Sequence, residues 1–341
     1  MIAAALAAVA LTRGPVVESV QPRRALVSFR TASARPAFVT LADGRRFEAG
    51  GGTEHTARLT GLTPGRRYRY WIGTSAGLAG SGSFRAAPVG PAAFSFAVLG
   101  DYGSGSPNEY AVTRLIESWR PDFVLTLGDN SYPLGLATLL DRNIFRPLAQ
   151  VFRRSAFFPA FGNHDVYLFG GRPELDAFHS LGNERWYRFG WGDASFVVLD
   201  SDLSVAPGSP QLSFARRAFR SASCFRFAAF HHPPFSPHST GIAPGLRRTI
   251  VPLIERRGVQ VVFQGHVHSY ERSRPRHGVV YLTVGTGGAE IGRYGDSTIP
   301  SAKLITGRFG ALRVDVNRQS ARFRFVTVDG KVRDEFRLRC G

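Results

Sequence analysis

Between residues 15 and 87, apolar and polar side chains alternate in short runs: RALVSFRT, AFVTLA, RRFEA, HTARLTGL, RYRYWIG and GSFRA. A period of two sends successive side chains to opposite faces of a strand, so each run buries one face and wets the other. Glycine and proline turns interrupt the pattern every 8 to 12 residues or so, the rhythm of a small β-sandwich. The stretch AAPVGPA (86–92) reads as a linker. After Phe94 the pattern changes. FSFAVL, DFVLTL, SFVVLD, FRFAAF, VQVVF and VVYLTV are apolar throughout, as expected of strands covered on both faces in an α/β layered domain. SPNEYAVTRLIESW has helical spacing. Ser106 can cap it, Pro107 suits its first turn and Glu109 completes a capping box. LRRTIVPLIERRG predicts another helix just before VQVVF. The expected organisation is a leader at 1–14, a sandwich at 15–87, a linker at 88–93 and an α/β domain at 94–341.

Composition narrows the picture. A hydrophobic fraction of 43% with 12% aromatics can build a large core. The formal charge is +18; of 43 basic residues only Lys303 and Lys331 are lysine, so 43 − 2 = 41 are arginine. The arginines are scattered, with no run of five, so no specific nucleic-acid partner is expected. The charge still favours anionic ligands. The apolar stretch Ile2–Leu11 is too short to span a bilayer and suits the apolar region of a signal peptide, although no basic residues precede it. A secreted or periplasmic protein with no membrane span is the expectation. Cys224 and Cys340 could pair in such a setting, or could be a buried thiol and a tail thiol.

Five polar clusters follow apolar runs. They are GDYG with Asp101, GDNSY with Asp129 and Tyr132, GNHD with Asn163 and His164, FHHPPFSPH with His231, His232 and His238, and GHVH with His266 and His268. Ligands in layered α/β folds bind at the carboxyl ends of strands, where all five would fall. Two carboxylates, an amide, a phenol and several imidazoles are hard or borderline donors, suited to iron, zinc or manganese. Seven donors are too many for one catalytic metal, and they suit two ions that share a carboxylate, a device for hydrolysing phosphate esters.

The five clusters resemble, in order, the motifs of purple acid phosphatases within the calcineurin-like metallophosphoesterases. Asp101-Tyr102-Gly103 lacks the histidine found in the first motif of most metallophosphoesterases, and Tyr132 stands in the second motif instead. GHVHSYER is close to the last motif of the purple enzymes. Ahead of these motifs, Leu62, Pro64, Gly65 and Tyr68 in LTGLTPGRRYRYWIG resemble the fibronectin type III pattern, whose tyrosine hydrogen-bonds back to the backbone.

The resemblance implies a sandwich followed by two sheets flanked by helices. It implies that Asp101, Tyr132 and His268 hold iron(III), that Asn163, His231 and His266 hold divalent iron, zinc or manganese, and that Asp129 bridges the two. A metal-bound hydroxide would attack a small-molecule phosphomonoester, with a phosphodiesterase or nucleotidase as the alternative. The ions carry +5 formally, and two carboxylates, a phenolate and hydroxide leave about +1 for an anionic substrate. His164 would donate to the phosphate or act as general acid, His238 would protonate the leaving group, and Asn163, His164 and His232 would contact substrate.

Further expectations concern the surroundings. On an extended segment His266 and His268 would point to one side and serve one metal each. Asp165 and Glu271 could support the histidines or form solvated salt bridges. GTGG (285–288) reads as an ordinary strand-to-loop turn, with a close-packed turn beside the site as the alternative, Tyr68 and Tyr70 as sandwich core, and His55, His179 and His277 as unrelated to the site.

Overall fold

The computed structural model describes residues 10–236, 243–291 and 299–340. The alternating N-terminal region forms β1 (Leu11–Glu18), β2 (Ala25–Thr31), β3 (Ala37–Leu41), β4 (Arg46–Gly50), β5 (Glu54–Leu59), β6 (Arg67–Thr74) and β7 (Gly77–Arg85). β2 and β3 bury every second residue, as the period of two requires. One sheet has the order β4-β3-β6-β7 and packs against β1, β2 and β5. Tyr68 accepts a hydrogen bond from the Thr63 backbone N–H at 2.7 Å, the tyrosine corner that the sequence implied. Tyr68 and Tyr70 are both buried. Residues 11–14, grouped with a leader in the sequence reading, are the start of β1; residues 1–9 lie outside the described residues.

The layered region begins with β8 (Phe94–Leu99), β9 (Phe123–Thr126) and β10 (Ala156–Phe158), which are mutually parallel. It continues through β11 (Tyr187–Trp191), β12 (Ala194–Val198), β13 (Phe225–Ala229), β14 (Val261–Gln264), β15 (Tyr270–Ser273), β16 (Val280–Val284) and β17 (Ser301–Ile305). β18 (Gly310–Val316), β19 (Ser320–Thr327) and β20 (Val332–Arg339) close the chain. β11 to β17 form one sheet in the order β11-β12-β13-β14-β16-β15-β17. The other sheet runs β20-β19-β18-β8-β9-β10-β1-β2-β5. It therefore does not stop where the sandwich begins: β1 pairs in parallel with β10, setting Val17 beside Ala156 and Glu18 beside Phe157.

Between the two large sheets lies an aromatic core. Phe96 meets Phe196 edge-on at 5.3 Å and Phe263 at 6.1 Å, while Phe123 stacks on Phe96 at 4.8 Å. Such offset and edge contacts add about 0.5–1.5 kcal/mol each beyond area burial. Two further apolar clusters bury helices on the outer faces, so two sheets flanked by helices are what the chain builds.

The helix Pro107–Trp119 is capped by Ser106, which accepts from the Glu109 N–H at 3.3 Å. Glu109 turns back to the N–H groups of Ser104 and Gly105 instead of Ser106, a variant of the expected box. The helix expected over LRRTIVPLIERRG is two short ones, Pro244–Thr249 and Val251–Arg256. Pro252 has no N–H to continue the first helix, so the second restarts around it. Cys224, just before β13, and Cys340, just after β20, form a disulfide with Cα atoms 5.4 Å apart.

Candidate metal centre

β8, β9, β10, β13 and β14 send their carboxyl ends to one edge, and the five clusters meet there. The loops come very close together. A Cβ on Gly103 would lie 1.6 Å from the Asn130 carbonyl oxygen, and one on Gly162 would lie 2.4 Å from Asp129 Oδ1. Asp101 (φ 57°), Asp129 (φ 53°) and His266 (φ 67°) all adopt the left-handed region. That conformation is disfavoured for residues with a Cβ and concentrates at functional sites.

The donors form two groups that share Asp129. In the first, Tyr132 Oη lies 2.9 Å from Asp129 Oδ2, 3.4 Å from Asp101 Oδ1 and 3.1 Å from His268 Nε2. His268 Nε2 is also 3.4 Å from Asp101 Oδ1. In the second, Asn163 Oδ1 lies 3.1 Å from His231 Nε2 and 2.9 Å from His266 Nδ1, and His231 Nε2 lies 3.4 Å from Asp129 Oδ1. The two oxygens of Asp129 thus face opposite groups.

This arrangement fits cations. His231 donates from Nδ1 to the Leu127 carbonyl at 2.7 Å, so Nε2 of the neutral ring carries a lone pair. That lone pair, Asn163 Oδ1 and Asp129 Oδ1 are three acceptors converging on one point. His268 Nδ1 likewise donates to the Glu290 carbonyl and leaves Nε2 for the cluster. Asp101 and Asp129 are buried, yet in a protein of 41 arginines their only ion-pair partners among the described residues are histidines. Buried carboxylates without a counter-charge are costly, and bound cations supply that charge.

The electrostatics agree. Burial would lower the His231 pKa, but Asp129 and Asp101 outweigh it and push it to about 10. His268 rises to about 9 against its burial, through Asp101. Burial would raise Asp129, yet facing His231 holds it well below the usual carboxylate range. Burial, then Asp101 and Asp129, push the Tyr132 phenol up. With no cation the carboxylates retain protons on these imidazoles, and metal ligation replaces those protons.

Each expected donor is at the centre: Asp101, Asp129, Tyr132, Asn163, His231, His266 and His268. The reason given for the last two changes. Gly265–Ser269 is not extended; hydrogen bonds from Val267 N–H to the Gly265 carbonyl and from Ser269 N–H to the Val267 carbonyl fold it tightly. The left-handed His266 aims at Asn163 while His268 aims at Tyr132, so the turn, and not the strand period, separates the two rings.

His164 donates its backbone N–H to Asp129 Oδ1 at 2.9 Å and its Nδ1–H to the Pro133 carbonyl at 2.6 Å. Its ring packs on Tyr132 at 4.4 Å, and Nε2 lies 4.0 Å from Asp129 Oδ2. His232 Nδ1 is 3.0 Å from Ser201 Oγ, and its ring centroid is 4.5 Å from that of His266. Burial, then His231 and His266, lower its pKa to about 3. His238 lies outside the described residues.

Two expectations are corrected. Asp165 does not support a histidine. It is buried and accepts N–H bonds from Gly162, Asn130 and Ser131, plus one from the Asn130 side chain, pinning the second and third clusters together. GTGG is no ordinary turn: a Cβ on Gly285 would lie 2.9 Å from Asp101 Oδ2, and one on Gly287 would lie 2.6 Å from Tyr102 Cβ. Two supporting residues went unread. Asn130 stood in plain view inside GDNSY, between two of the candidate donors. Glu174, which accepts from Asn130 Nδ2 at 3.2 Å, has no local signal.

Paired carboxylates ringed by imidazoles at strand ends, between two facing sheets, define the metallophosphoesterase architecture. The family follows from the sequence: residues 94–270 match the model for calcineurin-like phosphoesterases, and the chain belongs to that family. It is 26% identical to purple acid phosphatase 15 of Arabidopsis thaliana over 287 residues, 70% of this chain and 54% of that protein. The chain thus spans about half the length of that relative. It is 25% identical to a nucleotide pyrophosphatase/phosphodiesterase of Hordeum vulgare over 287 residues, 70% of this chain and 77% of that protein. The fold is similar to that of purple acid phosphatase PPD1 from yellow lupin seeds, with a TM-score of 0.85 at 19% identity, over 96% of this chain and 74% of that one.

Proposed function

We propose that the protein hydrolyses phosphomonoesters at a dinuclear metal centre, as a purple acid phosphatase. The observation that carries this reading is the division of Asp129, whose two oxygens face two separate donor groups. In this reading Asp101, Tyr132 and His268 would hold iron(III), Asn163, His231 and His266 would hold divalent iron, zinc or manganese, and Asp129 would serve both. Such a pair, when bound, supplies Lewis acidity toward the phosphoryl oxygens and activates water for in-line attack.

The chain's own residues do the rest. Nδ1 of His164 is committed to the Pro133 carbonyl, so Nε2 is the nitrogen that faces substrate, and in the imidazolium form it donates its proton to a phosphoryl or leaving oxygen. Asn163 and His164 open one helical turn, Asn163–Val166, and Gly162, Asn130 and Asp165 hold that turn against the second cluster. His232 is anchored through Nδ1 on Ser201, which leaves Nε2 for substrate. His238 is assigned as a further general acid on the sequence resemblance alone. The net charge of +18 draws anionic esters toward the site. Export to an oxidising compartment is part of the proposal, supported by the Cys224–Cys340 disulfide and the apolar Ile2–Ala10 stretch ahead of β1. Among the described residues no helix is long and apolar enough to cross a membrane.

A phosphodiesterase or nucleotidase on the same centre is the second reading, favoured by the similarity to the Hordeum protein. Nitrophenyl phosphate and bis(nitrophenyl) phosphate separate the two. Faster turnover of the monoester supports the first reading and faster turnover of the diester the second. Metal-replete protein that hydrolyses neither overturns both. A visible absorption band that Tyr132→Phe abolishes is the expected signature of tyrosinate on iron(III).

A further inference from the structure

We infer that a cavity between the sandwich and the 179–184 loop is a second ligand site, built for a small hydroxylated anion of the sugar-acid class. The cavity lies where that loop crosses β1, β2 and β5, and none of the seven candidate metal donors lines it. Its volume of about 540 Å³ is that of a small-molecule pocket.

The register of three strands makes the floor. Leu26 on β2 pairs with Glu18 on β1 and with Arg58 on β5, and Ser28 pairs with Thr56. Residues paired across antiparallel strands share a face, as do alternate residues of one strand. Glu18, Leu26, Ser28, Thr56 and Arg58 therefore lie on one side of the sheet, while Val17, Val27 and Ala57 are buried on the other. Arg24, two residues before Leu26, lines the same cavity.

The roof is pinned at His179. Ser19 Oγ donates to the His179 carbonyl at 2.6 Å, the His179 N–H donates to Glu18 Oε1 at 3.2 Å, and His179 Nε2 lies 3.0 Å from Thr56 Oγ1. The loop then turns through Gly182 (φ 65°), where a Cβ would lie 2.9 Å from the Trp186 carbonyl oxygen. Floor and roof are thus fixed by their own contacts.

Four lining side chains take no part in those contacts. Gln21, Arg24, Arg58 and Ser180 make no side-chain hydrogen bond or ion pair among the described residues. Glu184 is the one carboxylate in the lining, and it lies 4.0 Å from His179 Nδ1. Two unpaired guanidiniums against one carboxylate favour an anion, and the planar fork of arginine fits a carboxylate in particular. Gln21, Ser180 and Glu184 offer donors and acceptors for hydroxyl groups, and Leu26 and Leu181 offer apolar surface for the face of a ring.

The test is calorimetric titration of the metal-replete full chain with glucuronate, glucose and acetate. At pH 6, Glu18, which burial pushes up to about 7, is mostly protonated and opposes an anion little. The wild type is expected to bind glucuronate at least roughly tenfold more tightly than glucose, which lacks the charge, or acetate, which lacks the hydroxyls. Arg24→Ala/Arg58→Ala removes two exposed side chains, so it is expected to keep its melting temperature and its turnover of nitrophenyl phosphate. Its Kd for glucuronate is expected to rise at least roughly tenfold. No binding of glucuronate by the wild type, or equal binding by the double variant, would overturn the site. Glucose or acetate binding as tightly as glucuronate would overturn the ligand class.

Discussion

At the scale of single residues, the site depends on atoms that are missing as much as on donors that are present. Gly162 lets the third cluster pass beside Asp129, and the hypothetical Cβ contact of 2.4 Å falls on the proposed bridging oxygen. Gly162→Ala must displace that carboxylate or the turn bearing Asn163 and His164. A displacement of about 1 Å can cost on the order of 100-fold in rate, whereas overpacking costs about 1–3 kcal/mol in stability. The variant is expected to fold, to bind less metal by elemental analysis and to lose about 100-fold in kcat. Normal metal content with normal turnover would show that the close approach is unimportant. Asp165 illustrates a different limit on reading residues. The sequence marks it as chemistry because it sits in GNHD, but its partners are the Gly162 N–H of its own motif and the backbone N–H groups of Asn130 and Ser131, more than 30 residues earlier in the chain.

At the scale of elements, the seam between β1 and β10 decides how the sandwich and the layered region behave. The alternating pattern of the first strands and the uniform pattern of the later ones suggested separate units, yet one sheet runs through both. Val17 is fully buried at this seam, paired with Ala156 on one side and Val27 on the other. Val17→Ala removes two methyl groups and leaves a small void, a loss of about 2 kcal/mol. Calorimetry is expected to show one cooperative transition in the wild type and the same single transition at lower temperature in the variant. Two transitions, with only the first shifted, would mean that the sandwich unfolds alone.

At the scale of the whole molecule, burial of acids sets the dependence of stability on pH. Glu18 is buried, and desolvation raises its pKa from 4.5 to about 7 despite hydrogen bonds from Ser28 Oγ and the His179 N–H. The folded state therefore binds this proton more tightly than the unfolded chain does. The resulting stabilisation is whole below pH 4.5 and is lost as pH rises to about 7, on the order of 3 kcal/mol for this group. Glu174, also raised to about 7 by burial, acts in the same direction, and Glu109, raised to about 9 by burial, extends the loss upward. Melting temperatures are expected to be higher near pH 5 than near pH 8, with a shallower slope in Glu18→Gln. A melting temperature that climbs steadily across this range would contradict the assignment.

Several features were fixed locally, and the chain's pattern carried them. Strand type followed from apolar periodicity, because a face that meets water must be polar. The seven candidate metal donors stood out because each follows a strand that had to end, and the chemistry of the side chains suggested the kind of ligand. The helix Pro107–Trp119 was legible from its cap. Tertiary structure alone decided the rest. The joining of β1 to β10 depends on which exposed edges meet, and the pattern within a strand does not encode its neighbour. The role of Glu174 depends on a contact with Asn130, 44 residues earlier in the chain. The division of His266 and His268 between two donor groups depends on a left-handed turn, which the spacing of two histidines does not specify. The pairing of Cys224 with Cys340 required β13 and β20 to come together across 116 residues. Sequence periodicity records how each segment divides water from core. Which segments then touch is decided only when all of them compete to bury the same surfaces.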